Sequence, residues 1–221
     1  MKNYISPLAQ WLCCCFLFIA CMLIARIVYA HNIRYIFLVW NLFLAGIPYW
    51  ISSSFSKITL KSKALQVFFF ISWLVFFPNA LYVVTDLIHL KKTTSVPIWF
   101  DALLLFASSS LGLVLAFTSL MNVERYLYTY FKKFQVNIIV LLLLFAGSYG
   151  VYLGRFKRWN SWDVLNNPLS IGNDILKTFI HPVENLYVWS IIFLFTGLYL
   201  LFWFLIKVFN SQLSSKQPLS N

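Results

Sequence analysis

The chain has 221 residues, of which 61% are hydrophobic and only 10% are charged, and its formal net charge is +11. Soluble domains carry roughly 25% charged residues, so this composition excludes an ordinary soluble fold and indicates that lipid surrounds much of the chain. The basic excess would suggest nucleic-acid binding in a soluble protein. Here the Lys and Arg residues lie between apolar stretches, so we expect the basic loops to contact anionic lipid headgroups, and we expect no nucleic-acid partner.

Six apolar stretches follow one another, each about long enough to cross a bilayer as a helix. They cover approximately residues 8–29, 35–51, 64–84, 98–120, 136–153 and 187–209, and a polar tail covers residues 210–221. The predicted fold class is therefore all-α: an integral membrane helix bundle of about six transmembrane helices, forming a single transmembrane domain over residues 1–221.

The first stretch raises the question of a cleaved signal peptide. Its apolar core is longer than the ~7–15 residues usual for a signal, and Arg26 would lie where a cleavage region is normally uncharged, so we expect a retained span. All four cysteines lie in this stretch without a His partner nearby or CxxC spacing. We therefore expect neither a disulfide framework nor a zinc site there, and lipidation is a minor alternative to a plain apolar role.

The loop between the fifth and sixth stretches is the longest, and it predicts a short helix that Ser170 caps and that ends before Pro182. Its apolar residues fall on one face: Ile171, Ile175, Leu176 and Phe179. This pattern is typical of an interfacial helix that lies on the membrane. A lid packed on the helix bundle is an equally good interpretation.

Orientation depends on two dense basic loops. One contains Lys57, Lys61 and Lys63, and the other contains Arg125, Lys132 and Lys133. By the positive-inside rule both loops, and with them the N- and C-termini, are predicted to be cytoplasmic. We expect a multi-pass protein of the bacterial cytoplasmic membrane.

A polar stripe ends the third stretch. If this segment is helical, Asn79, Tyr82, Asp86 and His89 share one face. Asp86 and His89 are candidate catalytic residues, because an Asp and a His three residues apart can form an acid–base pair, and they are weak candidates for a metal site. The alternative is structural: Asp86 is solvated at the helix end, His89 caps carbonyl groups, and the stripe with Asn79 and Tyr82 lines the bundle interior.

Further polar residues lie at the start of the fourth stretch and directly after the fifth. Asp101 is a third catalytic candidate, although an acid near a helix start is already favourable through the helix dipole. The residues after the fifth stretch include candidates for binding a phosphate or carboxylate: Arg155, Arg158, Asn160 and Asp163. Ion pairing of Arg155 or Arg158 with Asp86, Asp101 or Asp163 is the plainer role. Asn41, inside the second stretch, is predicted to hydrogen-bond a neighbouring helix.

Together these residues resemble a family of bacterial membrane proteins, domain of unknown function 1361 (DUF1361). The resemblance covers roughly residues 35–170 and is carried by five groups of residues: Trp40 to Ala45 with Pro48, Trp73 through Pro78-Asn79 to Tyr82, Thr85 to Leu90, Pro97 with Trp99 and Asp101, and Gly154-Arg155 with Arg158 to Asp163. Leu81 stands where the family pattern leads us to expect Pro. The resemblance implies a bacterial multi-pass membrane protein and supplies no activity.

Three functions fit these residues. A non-catalytic membrane component or docking protein would use the polar residues as a rigid surface at the extracytoplasmic face. A membrane-embedded enzyme acting on a lipid-linked or envelope substrate would use Asp86, His89 and Asp101 as acid, base or ligands. A small transporter would need a polar route, for which few residues are available: Asn41, Ser108–Ser110, Thr118 and Ser148. The sequence assigns no cofactor, reaction or protein partner.

Overall fold

The computed structural model describes residues 7–55, 62–90 and 96–215, and this part of the chain contains helices and no strand. The helices are α1 (Pro7–Ala30), α2 (Phe37–Ser53), α3 (Lys63–Tyr82), a 3-10 helix (Val83–His89) that continues α3, α4 (Ile98–Leu127), α5 (Lys133–Phe156), α6 (Asp163–Asn166), α7 (Pro168–Ile180) and α8 (Leu186–Ser215).

The helix lengths and compositions confirm an all-α membrane bundle. Five segments are long and apolar enough to cross a membrane, and they are α1, α3 with its 3-10 extension, α4, α5 and most of α8. The sixth, α2, has 17 residues. At 1.5 Å per residue it is about 26 Å long, close to the lower limit for a spanning helix. Helices satisfy their own backbone hydrogen bonds, which lipid cannot do.

Two details differ from the sequence-based boundaries. Helix α8 continues through Ser215, so the first half of the expected polar tail is helical, while residues 216–221 lie outside the described part. Of the first basic loop, Lys57 and Lys61 also lie outside the described residues, and Lys63 begins α3.

The chain divides into two compact units, Met1–Asn122 and Val123–Asn221. In the first unit α3 approaches α4 very closely at Gly112, where an added Cβ would lie 2.8 Å from Val83 Cβ and 3.0 Å from the Ala80 carbonyl oxygen. Close helix contact through a small residue is typical of membrane bundles, which gain no hydrophobic free energy from helix association.

Buried hydrogen bonds also connect three helices of this unit. The Trp73 indole on α3 donates to Ser119 Oγ on α4 at 2.6 Å, and Ser119 Oγ donates to the Pro48 carbonyl oxygen on α2 at 3.0 Å. Pro48 and Pro78 both lie inside helices. Asn79, next to Pro78, donates its side-chain amide to the Phe76 carbonyl oxygen at 3.0 Å. Proline has no backbone N–H to donate, and in this turn the Asn79 side chain provides a donor to a backbone carbonyl group.

In the second unit α5 packs along α8 around an aromatic and aliphatic core formed by Tyr149, Tyr152, Val188 and Ile192. The predicted short helix is present as α7, and it starts at Pro168, two residues before Ser170, because proline suits the first helical position.

One face of α7 covers this core. Ile171 is buried, and the Phe179 ring contacts the rings of Tyr149 and Trp189 at centroid distances of 5.9 and 5.0 Å. Its other face exposes Leu169 and also Leu176, although the sequence had placed Leu176 on one face with Ile171, Ile175 and Phe179. The packed face agrees with the lid interpretation, and the exposed apolar face agrees with contact to lipid.

Candidate functional site

Asp86 lies on the 3-10 helix that continues α3. Two β-branched residues, Val83 and Val84, begin this tighter segment, and the Thr85 hydroxyl donates to the Tyr82 carbonyl oxygen at 2.6 Å. The Asp86 side chain is fully buried and accepts a hydrogen bond from Asn41 Nδ2 at 2.8 Å. Asn41 therefore bonds a neighbouring helix with Asp86 as its acceptor, and Asp86 is buried, whereas the structural interpretation had expected it to be solvated.

His89 ends the same 3-10 helix. With about three residues per turn, the 3-10 geometry places Asp86 and His89 on one face, as the sequence had predicted for an α-helix. The His89 ring is half-buried and lies 4.9 Å from the Phe37 ring, centroid to centroid. Its backbone carbonyl accepts a hydrogen bond from the Tyr35 hydroxyl at 3.1 Å.

Asp101 lies in the first turn of α4 and forms a buried ion pair with Arg26 of α1. Arg26 Nε is 2.8 Å from Asp101 Oδ1, and Nη2 is 3.4 Å from Oδ2. Both side chains have 0% exposure. Arg26 falls inside the first predicted stretch, residues 8–29, and in the structure it lies about one turn before α1 ends at Ala30. Arg26 Nη1 donates to Asn32 Oδ1 at 2.8 Å.

Tyr35 joins the two carboxylate sites. Its ring lies 4.4 Å from the Arg26 guanidinium carbon, a cation–π distance, while its hydroxyl reaches the His89 carbonyl oxygen. These contacts connect six residues of the first unit, which we call the polar cluster: Arg26, Tyr35, Asn41, Asp86, His89 and Asp101. Four of them, Asn41, Asp86, His89 and Asp101, were predicted site residues. The contacts join α2 directly to the 3-10 helix through Asn41, and they join α4 and α1 to it through Arg26 and Tyr35.

The predicted anion-binding residues lie in the second unit, at the end of α5. Asn160 uses its backbone N–H and its side-chain amide as donors to Asp163 Oδ2, at 2.7 and 3.2 Å. Arg155 is half-buried in the last turn of α5, whereas Arg158 is exposed and takes the left-handed conformation, with φ of 61°. Asn160 and Asp163 therefore fix a turn, and pairing of Arg155 or Arg158 with Asp86, Asp101 or Asp163 stays a prediction.

The carboxylate that organises this loop is Asp174 on α7, which the sequence did not select. It accepts a hydrogen bond from Trp159 Nε1 at 2.9 Å and lies 3.5 Å from Lys157 Nζ. The sequence did not indicate this role, because a polar residue such as Asp174 is expected on the polar face of any amphipathic helix.

A second ion pair was also missed from the sequence. Glu124, near the end of α4, is buried and pairs with Lys207 of α8, whose ammonium lies 4.9 Å from the centroid of the Trp203 ring. The Tyr128 hydroxyl donates to Glu124 Oε1 at 3.3 Å. Burial, and then the Glu124 carboxylate, raise the pKa of the Tyr128 phenol above its ordinary value.

A metal site is not apparent among the residues described. Within 7–55, 62–90 and 96–215 no group of three or more His, Cys, Asp or Glu side chains is arranged to hold an ion. Asp86 and His89 would need a further ligand. The four cysteines are exposed on α1 and form no disulfide with one another.

Comparison with known proteins gives one finding. No curated protein and no solved structure matches the chain. The family described as "Protein of unknown function (DUF1361)" matches residues 40–202, a range that contains Asn41, Asp86, His89 and Asp101. Because this match covers most of the chain, the protein belongs to the DUF1361 family.

Proposed function

We propose that this protein is a non-catalytic component of the bacterial cytoplasmic membrane, with a rigid docking surface at its extracytoplasmic face. One observation carries the proposal: Asp86 and Asp101 are both fully buried, Asp86 bonded to Asn41 and Asp101 to Arg26. A catalytic acid or base must come within hydrogen-bond reach of its substrate. Carboxylates that are inaccessible to solvent and bonded to residues of other helices are better suited to holding helices together than to acting as acids or bases.

The energetics of a buried ion pair support the same role. Removing one partner leaves an uncompensated buried charge and costs roughly 3–5 kcal/mol. Such pairs are therefore costly to break, and they specify which helices meet. Arg26 and Asp101 are 75 residues apart in sequence, so their pairing fixes the end of α1 against the start of α4.

The proposed orientation places the polar cluster outside the cytoplasm, with both termini inside. Its support is the positive-inside rule applied to two basic segments of the sequence, one with Lys57, Lys61 and Lys63 and the other with Arg125, Lys132 and Lys133. We propose that the basic loops contact anionic lipid headgroups of the inner leaflet.

An enzyme acting on a lipid-linked or envelope substrate is the second candidate, and His89 is the observation that favours it. Its ring is half-buried, its backbone is held by Tyr35, and it shares a face with Asp86. It is the residue of the polar cluster whose chemistry suits proton transfer near neutral pH. A transporter is the third candidate. Its support is weaker because Ser108, Ser109 and Ser148 each donate to backbone carbonyl groups.

The experiment compares Asp86→Asn and His89→Gln in a deletion strain, with Glu184→Gln and His181→Gln as exposed controls that remove the same chemical groups. A structural cluster predicts that abundance and heat resistance in detergent fall together with complementation. Loss of complementation by His89→Gln at wild-type abundance and heat resistance would support the enzyme and contradict the proposal.

A further inference from the structure

A narrow apolar groove lies between α1 and α2 in the first unit. It has a volume of about 490 Å³, and Leu23 and Leu38 line the end near the turn between the two helices. Cys13 and Trp50 line the other end, with Ala20 and Gly46 between them. The distance from Cys13 to Leu23 along α1 corresponds to about 15 Å of helix.

The groove has the chemistry of an acyl-chain site. Its lining is hydrocarbon apart from the Cys13 thiol and the Trp50 indole, so it offers few partners to a polar ligand. Its walls belong to a membrane-spanning helix and to the short apolar helix beside it. Lipid chains are the most abundant molecules around such helices, and a linear flexible chain can lie along a groove of this length.

The charge around the groove selects the headgroup. The segment Met1–Asn122 has two acidic residues, Asp86 and Asp101, and both are fully buried. Arg34, in contrast, is exposed in the turn at the Leu38 end of the groove. The described surface of this unit therefore presents cations without exposed carboxylates, which attracts an anionic headgroup.

We propose that this groove binds one acyl chain of an anionic glycerophospholipid whose phosphate pairs with Arg34. The inference rests on the membrane location and is independent of whether the polar cluster is structural or catalytic. Binding in the groove also differs from the electrostatic attraction of headgroups to the basic loops, because an acyl chain held in a groove is retained when bulk lipid is removed.

Two substitutions separate the chain contact from the headgroup contact. The three atoms nearest to an added Cβ at Gly46 all belong to the Trp50 ring, at 3.7 Å or more, so the Cβ itself has room and Gly46→Leu adds a side chain to the groove lining. Its control is Gly197→Leu, at an exposed glycine of α8 with nothing within 4 Å of an added Cβ. Arg34→Gln removes the headgroup contact, and its control is Lys63→Gln, an exposed cation at the start of α3.

The measurement is native mass spectrometry of the purified protein mixed with phosphatidylglycerol or phosphatidylcholine. We expect one retained lipid per chain, with phosphatidylglycerol preferred. Arg34→Gln should reduce that preference by about fivefold, the effect of one cation near an anionic headgroup. Gly46→Leu should remove the retained lipid of either class, and both controls should bind as wild type does.

Three results would overturn the proposal. One is equal retention of lipid by wild type and Gly46→Leu, and another is equal retention of the two lipids by wild type. The third is a dimer that Gly46→Leu dissociates, because a second copy would then occupy the groove. If Gly46→Leu lowers the melting temperature, Ala20→Leu from the opposite wall provides the same test.

Discussion

Gly112 is a position at which the first unit has no room for a side chain. The missing side chain lets Val83 and the Ala80 carbonyl group approach α4 to distances that real Cβ atoms do not allow. Helix propensity alone would favour Ala at this position. Packing therefore opposes propensity here, and the two effects can be separated by experiment.

We predict that Gly112→Ala destabilises the protein by about 1–3 kcal/mol, because the added methyl group must displace α3 or Val83. The measurement is the melting temperature in detergent, followed by tryptophan fluorescence. Gly172→Ala is the control, because nothing lies within 4 Å of its added Cβ and α7 gains helix propensity. If the melting temperature of Gly112→Ala equals or exceeds that of wild type, α3 and α4 do not meet at this glycine.

Ser119 gives a second prediction at the same scale. Ser119→Ala leaves the buried Trp73 indole N–H and the Pro48 carbonyl group without their partner. An unsatisfied buried donor costs about 1–3 kcal/mol. Ser119→Ala should therefore lower the melting temperature. In a Trp73→Phe background the additional cost of Ser119→Ala should be smaller, and an equal cost in both backgrounds would exclude the hydrogen bond.

At the scale of elements, the loop after α5 is held by α7. Asp174 binds both Trp159 and Lys157, and the Trp159 backbone N–H also donates to the Leu153 carbonyl oxygen at 3.1 Å. The loop is therefore ordered by contacts within its own unit.

Asp174→Asn should loosen this loop. The neutral amide loses the ion pair with Lys157 and weakens the bond to the indole, so amide hydrogen exchange should accelerate over residues 157–163. Glu184→Gln is the control, because the Glu184 pair with His181 is exposed on both sides. Unchanged exchange in Asp174→Asn would show that the loop is ordered by something other than α7.

The sequence predicted where the helices lie, but it did not predict which residues pair between helices. The apolar stretches located the spans, and the spacing of Asp86 and His89 gave their common face. The partner of Asp101 was not predictable, since helical periodicity shows which side of a helix is polar and carries no information about which helix faces it. The predicted end of the first stretch, at residue 29, agrees with the end of α1 at Ala30, but it gave no indication that Arg26 pairs with Asp101.

At the scale of the whole molecule, the number of crossings decides the topology. Five helices have the length and composition of spans, and α2, with 17 residues, is the marginal one. With α2 spanning, both termini lie on one side. We predict that reporters fused at the two ends both show cytoplasmic activity. Reporters on opposite sides would mean that one of the six segments does not cross.

The central claim is that the polar cluster fastens helices together. It is tested most directly by a double-mutant cycle on Arg26 and Asp101, with the free energy of unfolding measured in detergent. Arg26→Met or Asp101→Leu alone should each cost roughly 3–5 kcal/mol, because each leaves a buried charge unpaired. The double variant should recover most of that loss, because apolar residues then replace both charges. If both single variants unfold like wild type, or if their costs simply add in the double variant, the pair does not hold α1 to α4 and the account is contradicted.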